Sequence, residues 1–138
     1  MNDEPRAEDV ESIDGIIKAF YEVLSGAKGV PRQWTRDAAL YLPQAHFFQV
    51  RRDATIRVET KPEYIARVDA WLTENGFFEY EVARETQQYG NVAHVLSTYE
   101  SRHEIDGPVI GGGKNSVQLV YDGARWWITA AAWNSALQ

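Results

Sequence analysis

The chain has 138 residues, which fits one domain able to bury about two thirds of its unfolded surface without a staple. It contains no cysteine, so thiol catalysis, cysteine-ligated zinc and a disulfide framework are excluded together. A net charge of −6, with Arg51-Arg52 the main basic cluster, argues against nucleic acid as a partner, and no apolar run approaches membrane-spanning length.

Residues Met1 to Arg6 read as a short frayed tail, polar and acidic, with no signal peptide, so a cytoplasmic location is expected. Val10, Ile13, Ile17, Phe20 and Leu24 then recur at three- and four-residue steps, with Ile16 and Val23 widening the stripe, which predicts an amphipathic helix closed by Gly26. Pro31 opens a shorter helix that turns Trp34, Ala38 and Leu40 inward and ends at Pro43. Ala45 to Thr60 reads as two short strands around an Arg51-Arg52-Asp53-Ala54 turn. Thr60-Lys61-Pro62-Glu63 is a capping box with proline in the first turn, and it launches a helix through Tyr64, Ile65, Val68, Trp71 and Leu72 that stops at Asn75-Gly76.

Two hairpins follow. Gly90-Asn91 tolerates the positive φ of a two-residue loop, which pairs Tyr89 with Val92 and Arg84 with Ser97. Strict alternation from there sets Val82 opposite Tyr99, Tyr80 opposite Ser101 and Phe78 opposite His103 on an apolar inner face, leaving Glu79, Glu81 and Glu100 on a polar face. Asp122-Gly123 turns the second hairpin, from Asn115 to Trp133. A two-residue loop there groups Val117, Leu119 and Tyr121 with Trp126, Ile128, Ala130 and Ala132, and puts Gln118, Val120, Trp127, Ala131 and Trp133 on the other face. Gly111-Gly112-Gly113-Lys114 is not followed by a helix start and reads as a flexible loop or bulge, not a phosphate cradle. The string is α-α-β-β-α-β-β-β-β, an α+β domain over residues 1–138 with helices first and a mostly antiparallel sheet after them.

That order, with Phe20-Tyr21-Glu22-Val23-Leu24-Ser25-Gly26, Gly76-Phe77-Phe78-Glu79, Ser97-Thr98-Tyr99-Glu100, Asn115-Ser116-Val117-Gln118-Leu119 and Arg125-Trp126-Trp127-Ile128, resembles the nuclear transport factor 2-like superfamily, which includes SnoaL-like cyclases and ketosteroid isomerases. The resemblance implies a strongly curved sheet wrapped as a cone around the helices, a pocket in its open end and commonly a homodimer. Isomerases and cyclases of the superfamily carry an acidic base on the inner strand faces, and strict alternation puts no acidic residue on the apolar face of the first hairpin.

The candidate ligand-binding residues are His46, Arg84, Ser97, Tyr99, His103, Gln118, Trp127 and Trp133. Arg84 with Ser97 across from it is a cation among apolar side chains, and a buried arginine must meet a carboxylate or an anionic ligand. His46 and His103 share faces with apolar neighbours and could act as acid or base. Tyr99, Gln118, Trp127 and Trp133 offer donors over apolar walls, whereas Tyr21, Trp34 and Trp71 fall in helical stripes and read as core. The three scattered histidines lack metal-ligand spacing, so neither metal nor cofactor is expected. The reading is a domain that binds a small organic ligand. The alternatives are an isomerase, dehydratase or cyclase acting on a carbonyl compound, with His46 or His103 as base, and a non-catalytic dimerisation or accessory module.

Overall fold

Ser12, in extended conformation, accepts a hydrogen bond from the Gly15 amide at 2.9 Å and so caps helix α1 (Ile13–Glu22). In the computed structural model, which describes residues 3–135, the expected stripe is thus divided. Val10 follows a 3-10 turn (Ala7–Asp9), whose Asp9 carboxylate accepts from Arg36 Nε and Nη2, both at 2.8 Å. Met1 and Asn2 of the expected tail lie outside the described residues. Gly26 pairs its backbone with Phe77, tying the exit of α1 to the sheet.

The second helix, α2 (Trp34–Ala38), is shorter than the sequence suggests, because strand β1 (Tyr41–Val50) already begins before Pro43. Strand β2 (Ile56–Thr60) pairs with β1 only from His46 onward, so the amide that Pro43 lacks has no ladder partner to lose on that side. Helix α3 (Lys61–Asn75) carries the expected capping box: the Glu63 amide reaches Thr60 Oγ1, and the Thr60 amide reaches Glu63 Oε1 at 2.9 Å. Gly76 leaves it at φ 64°, a left-handed value that glycine adopts freely.

Strands β3 (Phe78–Tyr89), β4 (Val92–Arg102), β5 (Val109–Tyr121) and β6 (Trp126–Asn134) complete a six-stranded sheet of order β2-β1-β6-β5-β4-β3. Every neighbouring pair is antiparallel except β1 and β6. The α+β class and curved, mostly antiparallel sheet match the expectation. One sheet face carries the core with the helices: Ile16, Ile17 and Phe20 of α1 pack with Val95, Val117, Leu119 and Ile128. Among the described residues no helix is long and apolar enough to cross a membrane.

Both hairpins depart from strict alternation by one residue. In the first, Tyr89 faces Val92 and Arg84 faces Ser97 as expected, but Val82 bulges out, so Glu81 faces Tyr99 and Glu79 faces Ser101. A bulge sets two residues against one and reverses the parity of everything beyond it. The expected inner positions of Phe78, Tyr80 and Val82 are therefore overturned: Val82 is 49% exposed, and Glu79 and Glu81 take the inner face. In the second, the connection spans Asp122 to Arg125, which preserves the parity of a two-residue loop and pairs Tyr121 with Trp126. Thr129 is then the extra residue, and it moves Ala131 and Trp133 to the inner face in place of Ala130 and Ala132. The glycine run is not a loop: Gly111, Gly112 and Gly113 pair with Ser101, Glu100 and Tyr99 inside β5, beside a third bulge at Ile110.

Candidate functional site

The parity reversals build a cavity of about 600 Å³ between α3 and the inner sheet face. Eight of its lining side chains are aromatic, among them Tyr64 and Trp71 from α3, Tyr41 and Phe47 from β1, Tyr99 from β4 and Trp133 from β6. Gly111 and Gly112 leave room on the β5 side; a Cβ on Gly112 would lie 2.8 Å from the Tyr99 carbonyl oxygen. Tyr64 stacks on Phe47 with ring centroids 5.3 Å apart and meets Trp133 edge-on at 6.1 Å, so the wall is pre-formed.

Glu79 is the only acidic side chain lining the cavity among the described residues, and its carboxylate accepts one side-chain hydrogen bond, from Ser101 Oγ at 3.3 Å. No cation pairs with it, and burial pushes its carboxyl up to about 7 against an ordinary 4.5, with the Ser101 bond opposing. Ser25, just beyond α1, fixes the strand at this point, because its Oγ accepts from the Glu79 amide at 3.0 Å.

The two cations in the wall are already matched. Lys61 Nζ lies 2.6 Å from Asp37 Oδ2 and within 4.3 to 5.9 Å of the ring centres of Tyr41, Phe47, Tyr64 and Trp34. Burial pushes the Asp37 carboxyl up and the Lys61 ammonium down, and their mutual attraction opposes both. Arg67 grips Glu59 through Nε and Nη2 at 2.8 to 3.1 Å. Burial also raises the Tyr41 and Tyr64 hydroxyls, which stay protonated.

Of the eight residues picked out from the sequence, Tyr99, His103 and Trp133 line this cavity. The His103 Nδ1 sits 3.0 Å from the Gly76 carbonyl oxygen, which accepts a hydrogen bond from it. Trp71, read as core, is instead 48% exposed and packs on His103 and Phe77 at the cavity edge. Arg84 and Ser97 face each other as expected but lie outside the cavity. Arg84 binds Glu81 through Nε and Nη2 at 2.9 to 3.1 Å and also binds Asp14 of α1, so protein carboxylates meet the arginine. Ser97 donates to Glu81 at 2.6 Å and accepts from Tyr21 Oη at 2.7 Å, while Asn115 donates to Tyr21 at 3.2 Å.

His46, Gln118 and Trp127 point away. His46 is exposed, its Nδ1 2.7 Å from its neighbour Gln44's carbonyl oxygen, because β1 turns Ala45 and Phe47 inward. Gln118 donates to the Ala93 carbonyl at 3.1 Å, and Trp127 donates to Asp122 while Arg125 stacks on its ring at 3.5 Å. Sequence reasoning missed Glu79, Ser101, Lys61, Phe47 and Tyr64. The glycine run was the one visible signal, since Gly111, across from Ser101, puts no side chain into the space and Gly112 and Gly113 allow the close approach of Tyr99. Among the described residues no three His, Asp or Glu side chains converge where a metal could be held.

The same fold occurs in solved structures. A protein of unknown function with a cystatin-like fold from Nostoc punctiforme superposes with TM-score 0.65 at 11% identity, over 90% of this chain and 92% of that one. A nuclear transport factor 2-like protein of unknown function from Silicibacter pomeroyi gives 0.59 at 10% identity, covering 88% and 90%. The chain has the nuclear transport factor 2-like fold. A candidate ketosteroid isomerase from Parabacteroides distasonis shares this fold at TM-score 0.60 and 13% identity, covering 92% of this chain and 95% of that one. No protein-family model and no curated protein sequence matches the chain. At such identities the nuclear transport factor 2-like fold is shared and the chemistry is open.

Proposed function

We propose that the chain binds a small, largely apolar organic molecule in the cavity, with Glu79 engaging its polar end. The observation that carries this reading is a carboxylate without a cationic partner set among eight aromatic walls, in a space of about 600 Å³. Ligand sites have this composition: broad apolar area and a few fixed polar groups. A Cβ on Gly111, which faces Ser101, meets nothing within 4 Å, so Gly111→Phe fills the space without a backbone clash. Neutral aromatic probes such as Nile red should bind the wild type and lose about tenfold or more in affinity with Gly111→Phe, the equivalent of about 1.4 kcal/mol. A wild type that takes up none of them, or a variant that takes them up equally well, contradicts the reading.

A second reading is proton transfer on a carbonyl compound of the isomerase, dehydratase or cyclase kind. It is favoured by the near-neutral Glu79, since a general base works best when its pKa lies near the operating pH. Glu79 replaces His46 as the base, and His103 is the second proton carrier at the cavity. Glu79→Gln should abolish turnover in a panel of enolisable ketones while leaving neutral-probe binding in place; turnover unchanged in that variant removes the reading. We also propose the homodimer, supported by Val82, Val92 and Val109 exposed on the outer sheet face. Sedimentation at micromolar concentration tests it, and a strict monomer contradicts it.

A further inference from the structure

The charges around the cavity are unequal in a way that selects a ligand. Lys61 and Arg67 each hold a carboxylate, Asp37 at 2.6 Å and Glu59 at 2.8 Å, while no cation among the described residues pairs with Glu79. We infer that the cavity is built for a cationic ligand, a primary or substituted amine on a compact apolar or aryl body, whose ammonium pairs with Glu79. This rests on the reading of the cavity as a ligand site and names the class of molecule that enters it.

An anionic ligand would meet the opposite balance. To reach either cation it must compete with the carboxylate already there, Asp37 on Lys61 or Glu59 on Arg67, both buried, and a buried charge that loses its partner is strongly destabilising. A neutral ligand can give Glu79 a hydrogen bond, as Ser101 does, but no counter-charge. An ammonium supplies the missing partner, and the rings of Phe20, Phe77, Tyr99 and Trp133 line the same cavity, where aromatic side chains attract a cation. The chain already shows that such walls hold an ammonium: Lys61 sits against Tyr41, Phe47 and Tyr64 with a carboxylate behind it. Among the described residues no side chain makes an ion pair with Glu79, and His103, in the same cavity, directs its Nδ1 to the Gly76 carbonyl. Tyr21 and Tyr64 are held neutral by burial, Ser101 donates only a hydroxyl, and Arg67 is committed to Glu59.

The test compares three ligands of one shape, 3-phenylpropylamine, 3-phenylpropanol and 3-phenylpropanoate, at pH 8 by quenching of the cavity tryptophans Trp71 and Trp133 and by displacement of Nile red. The amine should bind about tenfold or more tightly than the alcohol, as expected for a charge-assisted hydrogen bond in a partly buried site, and the carboxylate most weakly. In Glu79→Gln the amine should fall to the affinity of the alcohol. Equal affinity of amine and alcohol in the wild type, or an amine preference that survives in Glu79→Gln, overturns the inference. The wild-type comparison decides the matter even where the variant fails to fold. If alcohol and Nile red bind without an amine advantage, the charge selection falls and the ligand site stands. If nothing binds, both fall.

Discussion

Replacing Glu79 with Gln removes a titration and keeps the shape, and it should stabilise the protein above neutral pH. A carboxyl that titrates near 7 when folded and near 4.5 when unfolded binds its proton more tightly in the native state. Its favourable contribution is complete below pH 4.5 and is lost as pH rises through 7, because the folded chain must then ionise a buried group. At about 1.4 kcal/mol per pH unit the full penalty is about 3 kcal/mol, and water reaching the open cavity reduces it to about 2 kcal/mol. For a domain of this size about 2 kcal/mol corresponds to roughly 6 °C in Tm. Thermal unfolding followed by circular dichroism should show Glu79→Gln above the wild type by about that amount at pH 8 and level with it at pH 4. No gain at pH 8, or one independent of pH, refutes the reasoning, since either means that Glu79 meets water or a cation in the folded chain.

The bulge at Val82 makes a second test. Val82→Lys should change stability by less than about 0.5 kcal/mol in urea unfolding, whereas Val95→Ala, fully buried, should cost about 2 kcal/mol; the reverse order would restore strict alternation. Lys61→Met leaves Asp37 buried and alone and should cost about 3 kcal/mol, and adding Asp37→Asn should recover most of that in a double-mutant cycle. Additive losses would mean that the two groups do not interact.

The element order was legible because its signals are local: the Thr60 to Glu63 capping box, the Gly90-Asn91 loop and the period of α1 each act within a few residues. The inner faces were legible only as far as the first bulge. Nothing between Phe78 and Tyr89 or between Trp126 and Asn134 marks one, since neither strand contains glycine or proline. The bulges at Val82 and Thr129 answer to the curvature of the whole sheet and the packing of α1 and α3 beneath it, which no short window records. That single-residue slip hid Glu79, the group most relevant to function, and in the second hairpin it hid that Trp133 shares a face with Val117 and Leu119. His46 was misread for a related reason: its apolar neighbour Phe48 sits on the outer side of β1, while Phe47 faces in.

The state of Glu79 is best measured directly by following its side-chain carboxyl carbon by NMR from pH 3 to 9, assigned by comparison with Glu79→Gln. The midpoint should lie near 7 and move down when 3-phenylpropylamine is added. A midpoint at the ordinary value near 4.5, unmoved by the amine, would contradict this.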